Sequence, residues 1–492
     1  MKQLFFFCLF CWQLSHAQQL VLPGDHPDPS VVKIGDTYWA SATSSNWMPI
    51  FPLLKSKNLT DWQMVGHVFD RPPEWADYYF WAPEVTYDKG KVYIYYSGHK
   101  KGGNLCLSVA SADRPEGPYK DHGPLICQAV GSIDAFPMRD KAGKLYLIWK
   151  EDANSVNQPT PIWIQEMNEE RTAMLGEKRE LFRNTLPWEA NLVEGVSMIQ
   201  NGDYYYAFYA AAGCCGPGCT YATGVARAKD LLGPWEKYSG NPILTHNEQW
   251  RCPGHGTPVE KNGRHYFLYH GYSAQSTVFT GREGLLQEFR FTPDGWVEFI
   301  KAPGAVQRDI APRTDRFRGG SLPKTWEWNV FQQPRYAVAN GELHLQALPT
   351  ASGLFAGQKT LSGDYTATAL VRPGKTNAAA GVTVIGDEQN TLNLFYTGDS
   401  LVVSALRSGR DSVIASMPYK AGRKLHLRVA AQGGNRFQFL YSTNGRSYSP
   451  VNTTPIDGSY LPPWDRALRV GVVSRGREGS VAVFDRFVMD SQ

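Results

Sequence analysis

The sequence predicts an all-β chain of two domains, a five-bladed β-propeller followed by a β-sandwich. Three observations lead there. A Gly turn followed by aromatic or β-branched alternation occurs five times, at Gly35-Asp36-Thr37-Tyr38, Gly90-Lys91-Val92-Tyr93, Gly143-Lys144-Leu145-Tyr146, Gly202-Asp203-Tyr204-Tyr205 and Gly263-Arg264-His265-Tyr266. These glycines lie 55, 53, 59 and 61 residues apart, which leaves room for about four strands per unit, the size of a propeller blade. The rhythm stops near residue 302, and alternating segments at closer spacing take over. No long amphipathic helical pattern interrupts either part.

Taken in order, Met1-Lys2, an apolar run from Leu4 to Leu14 and the small residues Ser15-His16-Ala17 read as a signal peptide over residues 1–17. Neither Cys8 nor Cys11 sits in a lipoprotein box. The leader's apolar run is too short to span a bilayer, and no later segment approaches the roughly 20 apolar residues a membrane helix needs. The expectation is a periplasmic or secreted protein with no membrane span.

Residues 18–302 hold the five propeller units, each glycine being the tip of a hairpin. Turn clusters such as Asp113-Arg114-Pro115-Glu116-Gly117-Pro118 and Lys229-Asp230-Leu231-Leu232-Gly233-Pro234 supply the further punctuation a meander requires. Ala302-Pro303-Gly304-Ala305 opens a linker assigned to 303–314. From 315 to 492 come strands at Glu342–Gln346, Tyr365–Val371, Leu425–Val429 and Leu468–Val473, the alternation of a concanavalin-like or jelly-roll sandwich.

Charge is nearly balanced, 50 Lys+Arg against 46 Asp+Glu, so no strong field favours nucleic acid or an anionic membrane. A neutral partner is expected. The 15 Trp, 25 Tyr and 23 Phe are a compositional hint toward sugars, although blade strands account for most of them.

Beyond the leader, six cysteines remain: Cys106, Cys127, Cys214, Cys215, Cys219 and Cys252. In an oxidising compartment disulfides are expected. The Cys214-Cys215-Gly216-Pro217-Gly218-Cys219 run lacks the second ligand pair of a zinc knuckle. A vicinal Cys214–Cys215 bridge, or a staple using Cys219 and Cys252, fits better. Cys106 and Cys127 flank one turn region and could form a third bridge.

The chemistry lies just upstream of the five glycines, where each blade's first strand lines the central channel. Asp28, Glu84, Asp134, Glu194 and His255 stand there, four carboxyls and an imidazole where a structural repeat would be content with Ser or Val. Gathering like charges costs stability unless a ligand or shifted pKa compensates, so this cluster is the candidate site. Carboxyls on separate blades suit inverting glycoside hydrolysis, in which base and acid stand apart to admit a water. Trp81, Phe136 and Trp39 are candidate walls for the sugar. Glu84 reads as a blade-packing residue.

The order Pro27-Asp28-Pro29-Ser30, Trp81-Ala82-Pro83-Glu84, Gly131-Ser132-Ile133-Asp134, Val193-Glu194-Gly195, Pro253-Gly254-His255-Gly256 resembles glycoside hydrolase family 43 across the whole propeller. The resemblance implies that Asp28 is the general base, Glu194 the general acid, and Asp134 the carboxylate that orients Glu194 and raises its pKa. It implies that Arg282 contacts sugar hydroxyls and that His255 lies beside a bound calcium, through waters, with no cofactor required for the chemistry. The C-terminal sandwich resembles the accessory domain of the β-xylosidase-like members. The implied substrate is an oligosaccharide or polysaccharide of plant hemicellulose carrying terminal β-D-xylose or α-L-arabinofuranose. A galactofuranosidase, an endo-arabinanase and a non-catalytic carbohydrate-binding propeller stay open as alternatives, and the sequence is silent on oligomeric state.

Overall fold

The computed structural model describes residues 18–300, 310–420 and 422–491. The expected signal peptide and the first part of the expected linker, 303–309, lie outside them. Among the described residues, four four-stranded antiparallel sheets and a fifth of five strands follow one another around the first domain, with inner strands Ser30–Ile34, Trp81–Asp88, Ser132–Arg139, Val193–Asn201 and Trp250–Lys261. Each inner strand turns into the second strand of its blade at one of the five repeated glycines. All five have positive φ and open space around them, which an L side chain tolerates poorly and Gly tolerates freely.

The ring is closed by the N-terminal strand Gln19–Leu22, which pairs antiparallel with Arg282–Phe291 of the fifth blade. Between blades, alternate side chains interdigitate. Phe136, Tyr146 and Ile148 of the third blade pack against Val196, Met198 and Tyr209 of the fourth. Most of the aromatic excess is spent in such seams.

The second domain packs a nine-stranded sheet against a six-stranded one. Leu343, Val382, Leu427, Phe437, Val472 and Phe484, all fully buried, belong to the core between them. Its first strand, Arg313–Asp315, pairs with Val481–Ser491, tying the two ends of the domain together.

The domains are joined by more than the chain. Trp47–Met48 of the first blade pairs antiparallel with Trp328–Asn329 of the sandwich. Trp47 packs on Phe355 at 6.0 Å, and the Arg469 guanidinium lies 4.9 Å from its ring. Arg469 also bonds Asp25 at 3.2 Å and Glu327, so a buried ion network crosses the junction. Three disulfides form, Cys106–Cys127, Cys214–Cys215 and Cys219–Cys252. Among the described residues no helix is long and apolar enough to cross a membrane.

Candidate active site

The five inner strands share one irregularity. Asp28, Ala82, Asp134, Gly195 and His255 all have positive φ, 49°, 46°, 59°, 59° and 39°. Register shifts fall at the same place in the second to fifth blades, between Trp81 and Glu84, Ile133 and Phe136, Glu194 and Ser197, and around Gly254. A bulge of this kind re-aims side chains out of the sheet's alternation, at a backbone cost borne at functional positions. Here it turns Asp28, Asp134 and His255, and beside Gly195 the side chain of Glu194, into a common cavity of ≈350 Å³. Gly195 cannot be replaced freely, because a Cβ there would lie 2.8 Å from His255 Cγ.

The two sides of this cavity differ. Asp28 accepts from Arg282 Nη1 at 2.9 Å and from Thr43 Oγ1 at 2.7 Å. Its main-chain N–H donates to His270 Nδ1 at 3.0 Å. Burial alone would raise its pKa, but the Arg282 charge, His270 and His255 outweigh burial and hold the carboxyl well below the usual carboxylate range.

Opposite, Glu194 accepts from Lys150 Nζ at 2.6 Å and from the Tyr221 hydroxyl at 2.8 Å. Burial pushes it up, yet the Lys150 ammonium, itself bound to Asp152 at 2.9 Å, outweighs burial and lowers it. Asp134 has no such cation in contact. Its Oδ2 accepts the Gly195 N–H at 2.9 Å, and burial with the neighbouring Glu194 charge pushes it up to about 6, against the pull of His255. The sequence-based expectation that Asp134 raises Glu194 is therefore reversed. Lys150 holds Glu194 down, and of the two carboxyls it is Asp134 that is raised.

His255 lies between the two sides, its Nδ1 3.5 Å from Asp28 Oδ1 and 3.9 Å from Asp134 Oδ2. Among the described residues no three His, Cys, Asp or Glu side chains converge as direct ligands, and both Asp28 oxygens already accept hydrogen bonds. The residues present do not fit a directly coordinated cation at His255. The calcium that the resemblance implies would reach it through water only, and it enters no step below.

Arg282 lines the cavity, and its two outer nitrogens each make one bond, to Asp28 and to the Asp465 carbonyl, both at 2.9 Å. Trp81 lines the cavity and donates through Nε1 to Ser45 Oγ at 3.2 Å. The assignment of Phe136 to the substrate is corrected: the bulge at Asp134 shifts the alternation, and Phe136 is buried in the seam between the third and fourth blades. Trp39 lies elsewhere too, beside Thr37, Lys55 and Gln63 on another surface depression. Glu84 is buried in the channel with one donor, Thr257 Oγ1 at 3.2 Å, and burial pushes it up to about 8. A second cavity of ≈390 Å³ at the domain junction carries Glu327 and Lys359, 3.7 Å apart, and none of the site residues.

Sequence reasoning missed Lys150, Tyr221 and the sandwich contribution. Lys150 left one signal, a cation ending the apolar strand segment Leu145–Trp149. Trp464 and Asp465 line the cavity from the second domain, and no local pattern announces a contact across some 400 residues. The bonded Cys214–Cys215 pair also lines the wall.

A family model described as glycosyl hydrolases family 43 matches residues 17–297, more than half of the chain. The chain belongs to glycosyl hydrolase family 43. A second model, the beta xylosidase C-terminal concanavalin A-like domain, matches residues 314–465. Among curated relatives of the family, a xylan 1,3-beta-xylosidase of a Vibrio species is 30% identical over 272 residues, covering 51% of this chain and 49% of its own. A xylosidase/arabinosidase of Humicola insolens is 25% identical over 306 residues, covering 58% and 55%. The chain thus spans about half the length of these two relatives. A solved xylan beta-1,4-xylosidase from Bacillus halodurans superposes with TM-score 0.80 at 20% identity, over 96% of this chain and 100% of the other. That likeness covers both domains of the fold.

Proposed function

We propose that this family 43 protein is an inverting, exo-acting glycoside hydrolase that removes a terminal pentose, β-D-xylose or α-L-arabinofuranose, from hemicellulose-type oligosaccharides. The observation that carries the reading is the unequal placement of cations around carboxyls that face one cavity. Arg282 and Thr43 on its two oxygens hold Asp28 ionised, as a base requires, while Lys150 bonds Glu194 and leaves Asp134, without a cation in contact, pushed up to about 6. A binding protein has no need of that asymmetry.

In the proposed reaction a water attacks the anomeric carbon and gives its proton to Asp28. The bond from that carbon to the leaving oxygen breaks on the opposite face, and the leaving oxygen takes the proton held by the Asp134–Glu194 pair, delivered through Glu194. Proton and charge balance without a cofactor. Asp134 and Glu194 titrate as a unit, so the reaction depends on the pair holding one proton rather than on which oxygen carries it at rest. The second domain adds Trp464 and Asp465 to the cavity wall beside Arg282, which supports exo-action on a chain end over an open groove. The likeness to a xylan 1,3-beta-xylosidase and a xylosidase/arabinosidase supports a pentose. Three disulfides support export to the periplasm or beyond.

A panel of aryl glycosides tests the proposal, with β-D-xyloside, α-L-arabinofuranoside and galactofuranoside arms. Turnover of a pentoside is expected, with inversion of the first-formed anomer by NMR. Asp28→Asn and Glu194→Gln should each lower kcat by roughly 10²–10⁴ with folding intact. Binding without turnover in the native protein, or a retained anomer, would refute it.

A further inference from the structure

Of the large apolar side chains that stay exposed, Trp464 and Phe331 both come from the sandwich and are each 54% exposed. They stand at the two ends of one continuous line of rings. Trp464 meets Trp81 edge-on at 5.8 Å. Trp81 lies 4.5 Å from Tyr79, Tyr79 4.7 Å from Tyr78, and Tyr78 5.9 Å from Phe331. The inner three, Trp464, Trp81 and Tyr79, line the catalytic cavity. Tyr78 and Phe331 carry the line beyond it, across the seam between second blade and sandwich.

The line is held in place before anything binds. Tyr78 stacks on His99 at 4.1 Å and 13°, and His99 is fixed by Asp77 at 2.8 Å. Tyr79 sits at φ 53°, a conformation a tyrosine rarely adopts, and its N–H donates to Asn46 Oδ1 at 3.1 Å. The Phe331 N–H donates to Asn329 Oδ1 at 2.9 Å, in the strand that pairs with Trp47–Met48. Tyr78 also packs against the core of the first two blades, whereas the strained Tyr79 and the exposed Phe331 join no hydrophobic cluster among the described residues. Preorganised faces do lower the ordering cost of a bound ligand.

We propose that Tyr78 and Phe331, continuing from Trp464 and Trp81, form a track for the leaving-group side of a neutral oligosaccharide. This assigns the substrate as a chain of three or more sugar units rather than a disaccharide or a single side-branch sugar. The direction follows from burial. The carboxyls are buried while Trp464 is half exposed, so an exo-acting enzyme seats the terminal sugar at the carboxyls and everything further out belongs to the leaving group. Apolar ring faces flanked by the Asp77–His99 pair and tyrosine hydroxyls match sugar units, which present C–H faces and hydroxyl edges. The inference rests on the exo-hydrolase reading.

The experiment compares kcat/KM for linear oligosaccharides of two to six units of the pentose that the enzyme releases. In the native enzyme it should rise with length beyond two units. Phe331→Ala should lower it roughly tenfold for the longest chains, chiefly through KM, and much less for the dimer. Phe331→Trp should restore the gain. No length dependence in the native enzyme, or an equal loss at every length, overturns the track. If no glycoside is turned over, the hydrolase reading fails by itself. Calorimetry of xylo- and arabino-oligosaccharides on Asp28→Asn then decides: affinity that grows with length and falls in Asp28→Asn/Phe331→Ala keeps the track, and absence of binding removes it.

Discussion

The two sides of the candidate-site cavity carry the same functional group and supply it with cations unequally. On one side Asp28 has a guanidinium and a hydroxyl donor for its two oxygens. On the other, Asp134 and Glu194 must share one ammonium, that of Lys150, and it sits on Glu194. Burial pushes every one of these carboxyls upward. The number and placement of cations decides which ionise. The sides differ in origin as well. The Asp28 side is completed by the sandwich, through the Asp465 carbonyl on Arg282, whereas Lys150, Asp134 and Glu194 all belong to the third and fourth blades.

The strongest way to break this contrast is to take Arg282 away. Arg282→Met leaves Asp28 buried without its cation, so its pKa climbs and the base becomes protonated at low pH. An acid limb that the native protein, with Asp28 held low, is expected to lack should appear in the kcat/KM profile, with a loss of about 100-fold or more at the optimum. Removing one partner of a buried pair costs about 3–5 kcal/mol, so denaturant unfolding should register it. An unchanged acid side would show that Arg282 does not set the state of Asp28.

The other side predicts the alkaline limb. Leaving-group protonation needs the proton on the Asp134–Glu194 pair, and Asp134 is pushed up to about 6, so kcat/KM should fall as pH rises through that value. Lys150→Met removes the cation that lowers Glu194. The pair then holds its proton to higher pH, and the limb should move upward. A limb that stays in place or moves down in Lys150→Met contradicts the shared-proton account.

The legibility of the two sides differed for the same physical reason. Asp28, Asp134, Glu194 and His255 could be read because blade repetition puts equivalent positions in equivalent contexts, five times over. The five glycine turns were legible because only a residue tolerant of positive φ serves there. The bulge was not, since Asp28, Asp134 and His255 adopt positive φ with nothing in their type to say so, and missing it displaced the alternation enough to misplace Phe136. Lys150 was hidden because a lysine at a strand end is ordinarily solvated. Trp464 was hidden because its position depends on how two domains dock, through Ser45 with Asp465 and Trp47 with Phe355, and no local periodicity encodes that.

Trp464 gives the smallest and sharpest test of the cross-domain side. It is 54% exposed and packs edge-on against Trp81 and Tyr79, so Trp464→Ala should leave thermal stability nearly unchanged, as surface substitutions do. Among the described residues no hydrogen bond links it to the three carboxyls, so kcat and the shape of the pH profile should hold. What it supplies is one ring face at the cavity mouth, whose loss should raise KM by a few-fold up to about tenfold. A change confined to KM means the sandwich contributes to catalysis through sugar contact at this residue, and through charge only at Asp465. If the pH limbs move as well, the loop sets the ionisation of Asp28 through more than one carbonyl, and the two sides of the cavity are less independent than their hydrogen bonds suggest.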